Sequence, residues 1–112
     1  MRKKNFKGRC EKRMLAKCVE VCKTYDPIQH AYADLLSADD SVQEIRCNVP
    51  LEDSEYTTDF VCVKTNGDLI VRECVYRKHL SKPLTIKLLD ISKEYWLKHG
   101  VSDWGLVIDA EV

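Results

Sequence analysis

The sequence predicts a single α/β domain, a mixed sheet with helices on both faces. Three observations predict it. Helical and strand periodicities succeed one another in the order helix, helix, three strands, helix, strand. An Asn66-Gly67 pair joins two strand-like runs as a hairpin. The chain of 112 residues, 45% hydrophobic and 32% charged, is long enough for one core and too short for two.

Taken in order, residues 9–25, RCEKRMLAKCVEVCKTY, place Cys10, Met14, Cys18, Val21, Cys22 and Tyr25 at helical steps and predict an N-terminal helix. Asp26-Pro27 ends it, with Asp26 as N-cap and Pro27 as first residue of a second helix, PIQHAYADLLSAD, striped by Ile28, Tyr32, Leu35 and Leu36. Strands follow over 41–49 (SVQEIRCNV), 56–64 (YTTDFVCVK) and 68–76 (DLIVRECVY). A basic turn, RKHLSKP, leads into a helix over 83–99, with Leu88, Ile91, Tyr95 and Trp96 on one face and Gly100 as its stop. A final buried strand is expected around 104–109, parallel to a neighbour because a helix separates the two. These elements divide the single domain 1–112 into a basic N-terminal extension, 1–26, and a core, 27–109.

Net charge is zero but unevenly spread. Residues 1–17 hold eight Lys/Arg against the single acid Glu11, leaving ten basic and seventeen acidic residues in the remainder, net −7. A basic arm on an acidic body suits phosphate contacts or an acidic partner. Without a long apolar run or a charged-then-apolar leader, the expected location is cytoplasmic, with no membrane association. The six cysteines lack the spacing of a secreted disulfide scaffold and are expected to be reduced and mostly buried. Cys10, Cys18 and Cys22 are readable as zinc ligands, but no fourth ligand stands near them, and a packed apolar face is the preferred reading. Cys47, Cys62 and Cys74 fall on strands as small hydrophobes. Trp96 and Trp104 are assigned to packing rather than to base stacking.

Chemistry is expected at two acids on neighbouring strands. Asp59 lies in YTTDF and Glu73 in VRECV, both among apolar residues where a carboxylate is costly unless paired, metal-bound or in a cleft. Pairing through the 66–67 turn brings them together at the open end of the hairpin. Two carboxylates and a backbone carbonyl make a hard-oxygen set suited to Mg²⁺ or Mn²⁺.

The order of elements, YTTDF, DLIVRECVYRK and above all KLLDISKEYWLKHGVSDWGLVID resemble the N-terminal domain of the TnsA-type transposon endonucleases, over about residues 27–109. That family belongs to the restriction-endonuclease-like, PD-(D/E)XK nucleases. The resemblance implies an α-β-β-β-α-β restriction-endonuclease-like core plus the extra N-terminal helix. It implies a Mg²⁺- or Mn²⁺-dependent DNA endonuclease or nickase of a mobile element or phage, with DNA, transposase or phage proteins as partners. Asp59, Glu73 and the carbonyl of Cys74 match the metal ligands. Gln29 stands where the preceding helix supplies an acid, and Val75 occupies the place of the lysine that assists the attacking water. Arg77 is the expected substitute for that charge, with Lys78, His79 and Lys82 in the following turn and Lys3, Lys4, Lys7 and Arg9 in the basic arm contacting DNA. Two alternatives remain open: a nuclease fold that has lost cleavage and serves as a DNA-binding or protein-interaction module, and a homodimer whose second subunit supplies the missing lysine.

Overall fold

The computed structural model describes residues 10–52 and 54–111. Lys3, Lys4, Lys7 and Arg9 lie outside the described residues. The elements are β1 (Glu11–Arg13), β2 (Cys22–Thr24), α1 (Pro27–Ala38), β3 (Val42–Pro50), β4 (Thr57–Lys64), β5 (Leu69–Val75), α2 (Pro83–Lys98) and β6 (Asp103–Ile108). β3, β4, β5 and β6 form one mixed sheet in that order. The first three strands run as an antiparallel meander, and β6 returns parallel to β5 after the α2 crossover.

Both faces of the sheet are covered, and strand alternation shows how. Phe60 and Cys62 of β4, with Ile70 and Cys74 of β5, pack with Ile28, Ala33 and Leu36 of α1. Their neighbours Val61 and Val71 join Leu88 and Trp96 of α2 in a second cluster. β4 is buried from Thr57 to Cys62, so the polar Thr57, Thr58 and Asp59 are buried with the apolar Phe60, Val61 and Cys62.

Element ends follow their punctuation. The Asp26 side chain accepts the Gln29 N–H at 2.8 Å, and Pro27 occupies the first turn of α1. At the far end of α2, Gly100 takes φ +83°, Gly100 N–H donates to Leu97 O, and Val101 N–H donates to Trp96 O at 2.9 Å. That bond pair is a Schellman motif, completed by the buried Val101 side chain. In the 66–67 turn only Gly67 takes positive φ (+92°), while Asn66 exchanges side-chain bonds with Asp68.

The predicted N-terminal helix is corrected. Its described part is an antiparallel β1–β2 hairpin with Glu11 opposite Thr24 and Arg13 opposite Cys22. A helix there would need a sheet face for its stripe, and α1 and α2 cover both faces. What the sheet offers instead is a backbone edge, at β3, the other edge strand being β6. The 14–21 connection takes that place: Ile45 N–H donates to Lys17 O at 2.9 Å, and Cys18 bridges to Ile45 in parallel. Covering an edge satisfies backbone groups that would otherwise seek a partner. Met14 and Val21, assigned to the helical stripe, are instead exposed.

Candidate functional site

The β4–β5 ladder runs from Val63↔Leu69 to Phe60↔Arg72. Beyond it, side chains take over from backbone. Asp59 N–H donates to Glu73 Oε1 at 3.0 Å, and Cys74 N–H donates to Asp59 Oδ2 at 2.7 Å. The two predicted acids therefore do meet where the strands part, and both are buried, at 2% and 0% exposure.

Each helix reaches into this junction. From α1, Gln29 Nε2 donates to Asp59 Oδ1 at 3.2 Å while its Oε1 accepts Tyr25 N–H at 2.7 Å. The amide thus serves as a donor that orients Asp59. From α2, Ser92 Oγ donates to Glu73 Oε2 at 2.5 Å and itself accepts Trp104 Nε1–H at 3.0 Å. Trp96 Nε1–H donates to Thr58 Oγ1 at 2.8 Å one residue from Asp59. All four carboxylate oxygens accept a protein hydrogen bond, which makes two buried acids tolerable. Burial, then the charges of Glu73 and Asp59, push the Tyr56 phenol far up, so it remains a neutral hydroxyl beside the acids.

Past Cys74 lies a cavity of ≈ 220 Å³ between the end of β5 and α2, walled by Cys74, Val75, Leu88 and Leu89 with Asp26, His79 and Thr85 as polar lining; Asp59 and Glu73 are buried behind Cys74 and do not line it. Val75 is 7% exposed and forms part of that wall. His79 stands edge-on to Tyr76 (5.8 Å between centroids), and Lys78 Nζ lies 5.6 Å from the same ring. Lys82 is the exposed residue preceding α2. Arg77 sits in an exposed 3₁₀ turn, where its N–H donates to Asp109 Oδ1 at 2.9 Å. β5 ends at Val75, so the strand alternation that would align Arg77 with Glu73 does not extend to it.

The sequence reading passed over Ser92, Tyr56 and the indole of Trp104. Ser92 carried a usable signal: it lies midway between Leu88 and Trp96 at four-residue steps, a hydroxyl on the buried stripe of a helix. It also missed that Cys47, on β3, meets Cys18 and Cys22. The three sulfurs all lie within 4.8 Å of one another, with Cys22 Sγ and Cys47 Sγ 2.9 Å apart. The Cys47 hydrogen bond brings the Cys22 thiol down to about 7, while burial raises Cys18 to about 11. None of the six cysteines is in a disulfide, and Cys10 lies outside the cluster.

Compared with known proteins, the chain matches no protein-family model and no curated protein. No helix among the described residues is long and apolar enough to cross a membrane.

Proposed function

We propose that this chain has the restriction-endonuclease-like fold and is a metal-dependent DNA endonuclease or nickase related to the TnsA type. One observation carries the reading: Gln29 of α1, Asp59 of β4 and Glu73 of β5 converge by hydrogen bonds where the two central strands part. The helix, three-stranded meander, helix, parallel strand order of residues 27–108 supports it.

The donor set suits a hard divalent cation. Asp59 and Glu73 are two carboxylates held side by side, an all-oxygen donor set of the kind such ions prefer. Asp59, Glu73 and the Cys74 carbonyl would hold Mg²⁺ or Mn²⁺. Such an ion, when bound, activates water and stabilises charge on a phosphodiester. The chain's own residues do the rest. Gln29 and the Cys74 N–H fix both oxygens of Asp59, and Ser92, steadied by Trp104, fixes Glu73. His79 lines the cavity beside Cys74 and the exposed Lys78 neighbours it, and in this reading both would meet a phosphate backbone. Partners are DNA and, by resemblance, transposase or phage proteins.

A second reading has its own observation. Val75 supplies neither a base nor a charge where the lysine belongs, and its side chain is packed into the cavity wall. A nuclease fold that binds DNA or protein without cleaving it would look the same there.

Cleavage of supercoiled plasmid with Mg²⁺ or Mn²⁺ separates the two. Asp59→Asn and Glu73→Gln keep the shape of the buried network, and circular dichroism checks their folding. Nicking by the wild type that drops by ~10²-fold or more in both variants is expected of the enzyme. An inactive wild type with an intact fold would instead support the binding module.

A further inference from the structure

The thiol cluster stands apart from the carboxylate site, at the opposite side of β3. Cys18 and Cys22 lie in the 14–21 connection and at the start of β2, a C-x₃-C spacing, and Cys47 faces them from β3. We propose that Cys18, Cys22 and Cys47 form a zinc-binding thiolate site that fastens the β1–β2 hairpin to the edge of the main sheet.

Several observations carry this. Three sulfurs from two separate segments share one spot within 4.8 Å of each other. Tetrahedral Zn²⁺ with bonds of about 2.3 Å sets sulfurs about 3.8 Å apart, so a small adjustment of the trio accommodates it. A disulfide between Cys22 and Cys47 would leave the third buried sulfur unexplained. Binding displaces three thiol protons and leaves a net charge of −1 on the zinc–thiolate group, which calls for a nearby cation. Arg13 is the cation beside them: its charge lowers both Cys18 and Cys22 and its Nε is buried without a hydrogen-bond partner among the described residues, while its Nη1 also bridges Asp34, whose charge raises Cys22. The fourth coordination position has a source of solvent: Cys47 is half-buried and lines a groove of ≈ 170 Å³ with Val19, Glu20 and Asn48.

The hairpin also needs a staple. β1 and β2 have three residues each. A two-stranded ribbon of that size is not stable by itself. Arg13 ties it to α1 through Asp34 and His30 O, and among the described residues its ties to β3 besides the thiol contact are the Lys17 O bond to Ile45 N–H and the 2.8 Å bond from Asn48 Nδ2 to Lys23 O. These flank the thiols, so a metal would lock a contact already aligned.

The test uses the full chain, reduced and stripped of metal, titrated with Co²⁺. Sulfur-to-cobalt charge-transfer absorption saturating at one Co²⁺ per chain, and displaced by Zn²⁺, is expected. Cys22→Ser and Cys47→Ser, checked by circular dichroism, should weaken Co²⁺ binding by more than the ~10-fold cost of an outer-sphere change, whereas Cys10→Ser should not. A folded, reduced chain that gives no charge-transfer band would overturn the proposal. So would equal loss in Cys10→Ser, or a Cys22–Cys47 disulfide in the chain as purified, read by mass after alkylation.

Discussion

Ser92 holds two groups at once, Glu73 Oε2 by donating and Trp104 Nε1 by accepting. Ser92→Ala removes a donor from a fully buried carboxylate and the acceptor of the Trp104 indole. Losing buried partners costs about 1–3 kcal/mol, against ~0.5 kcal/mol or less for Ser81→Ala on the exposed turn. Urea unfolding of the two variants checks this, and equal midpoints would show that Ser92 contributes nothing to holding Glu73. Val75→Lys supplies the charge that the proposed nuclease site would use. Nearby carboxylates favour the ammonium and burial opposes it, so the substitution is expected to cost about 1–3 kcal/mol through overpacking of the cavity wall. In an enzyme that lacks only this group, single-turnover nicking should rise by ~10²-fold. An unchanged rate in a folded variant would mean the lysine's task is met by another residue or that no hydrolysis occurs.

Asp26 and Gln29 stand three apart at the start of α1, and the helix end and the site share them. Asp26 caps the helix through Gln29 N–H, and the Gln29 side chain spans from Tyr25 N–H to Asp59. Asp26→Ala should therefore lower stability by about 1 kcal/mol and, by loosening Gln29, lower any cleavage as well. Thermal unfolding and the plasmid assay read the two effects separately; a stability loss with unaltered cleavage would uncouple the cap from the site. This region was legible in the sequence because Asp-Pro, Asn-Gly and the terminal Gly100 fix element ends locally, and strand alternation then sets which residues face each helix. The 9–25 segment was not legible. Its three- and four-residue steps suit a helix, but which secondary structure forms there depends on a vacant strand edge contributed by residues 42–50, far along the chain. The cysteine trio stayed hidden for the same reason, since Cys47 joins it only through that edge. Val75, by contrast, was legible as a departure from the pattern that the sequence otherwise resembles, yet its burial in a cavity wall was not.

At the scale of the whole molecule, charge is segregated in sequence. The described body follows an N-terminal stretch, residues 1–9, that carries Arg2, Lys3, Lys4, Lys7 and Arg9 and no acid. Residues 18–112 have net −7, a charge that repels DNA at long range, so DNA binding by this chain requires local positive contacts. Two sets are available, the arm and the Lys78–Lys82 turn beside the cavity. Salt dependence distinguishes them, because each neutralised phosphate contributes about −0.9 to the slope of log affinity against log salt. If all five arm cations contact phosphate, a chain lacking residues 1–9 should lose about 4 to 5 units of that slope, measured by fluorescence anisotropy on duplex DNA. Lys78→Ala with Lys82→Ala should remove at most about 2 units. A slope insensitive to loss of the arm would assign affinity to the turn. A slope insensitive to both would leave the acidic body without a phosphate-binding surface in these segments and count against DNA as its partner.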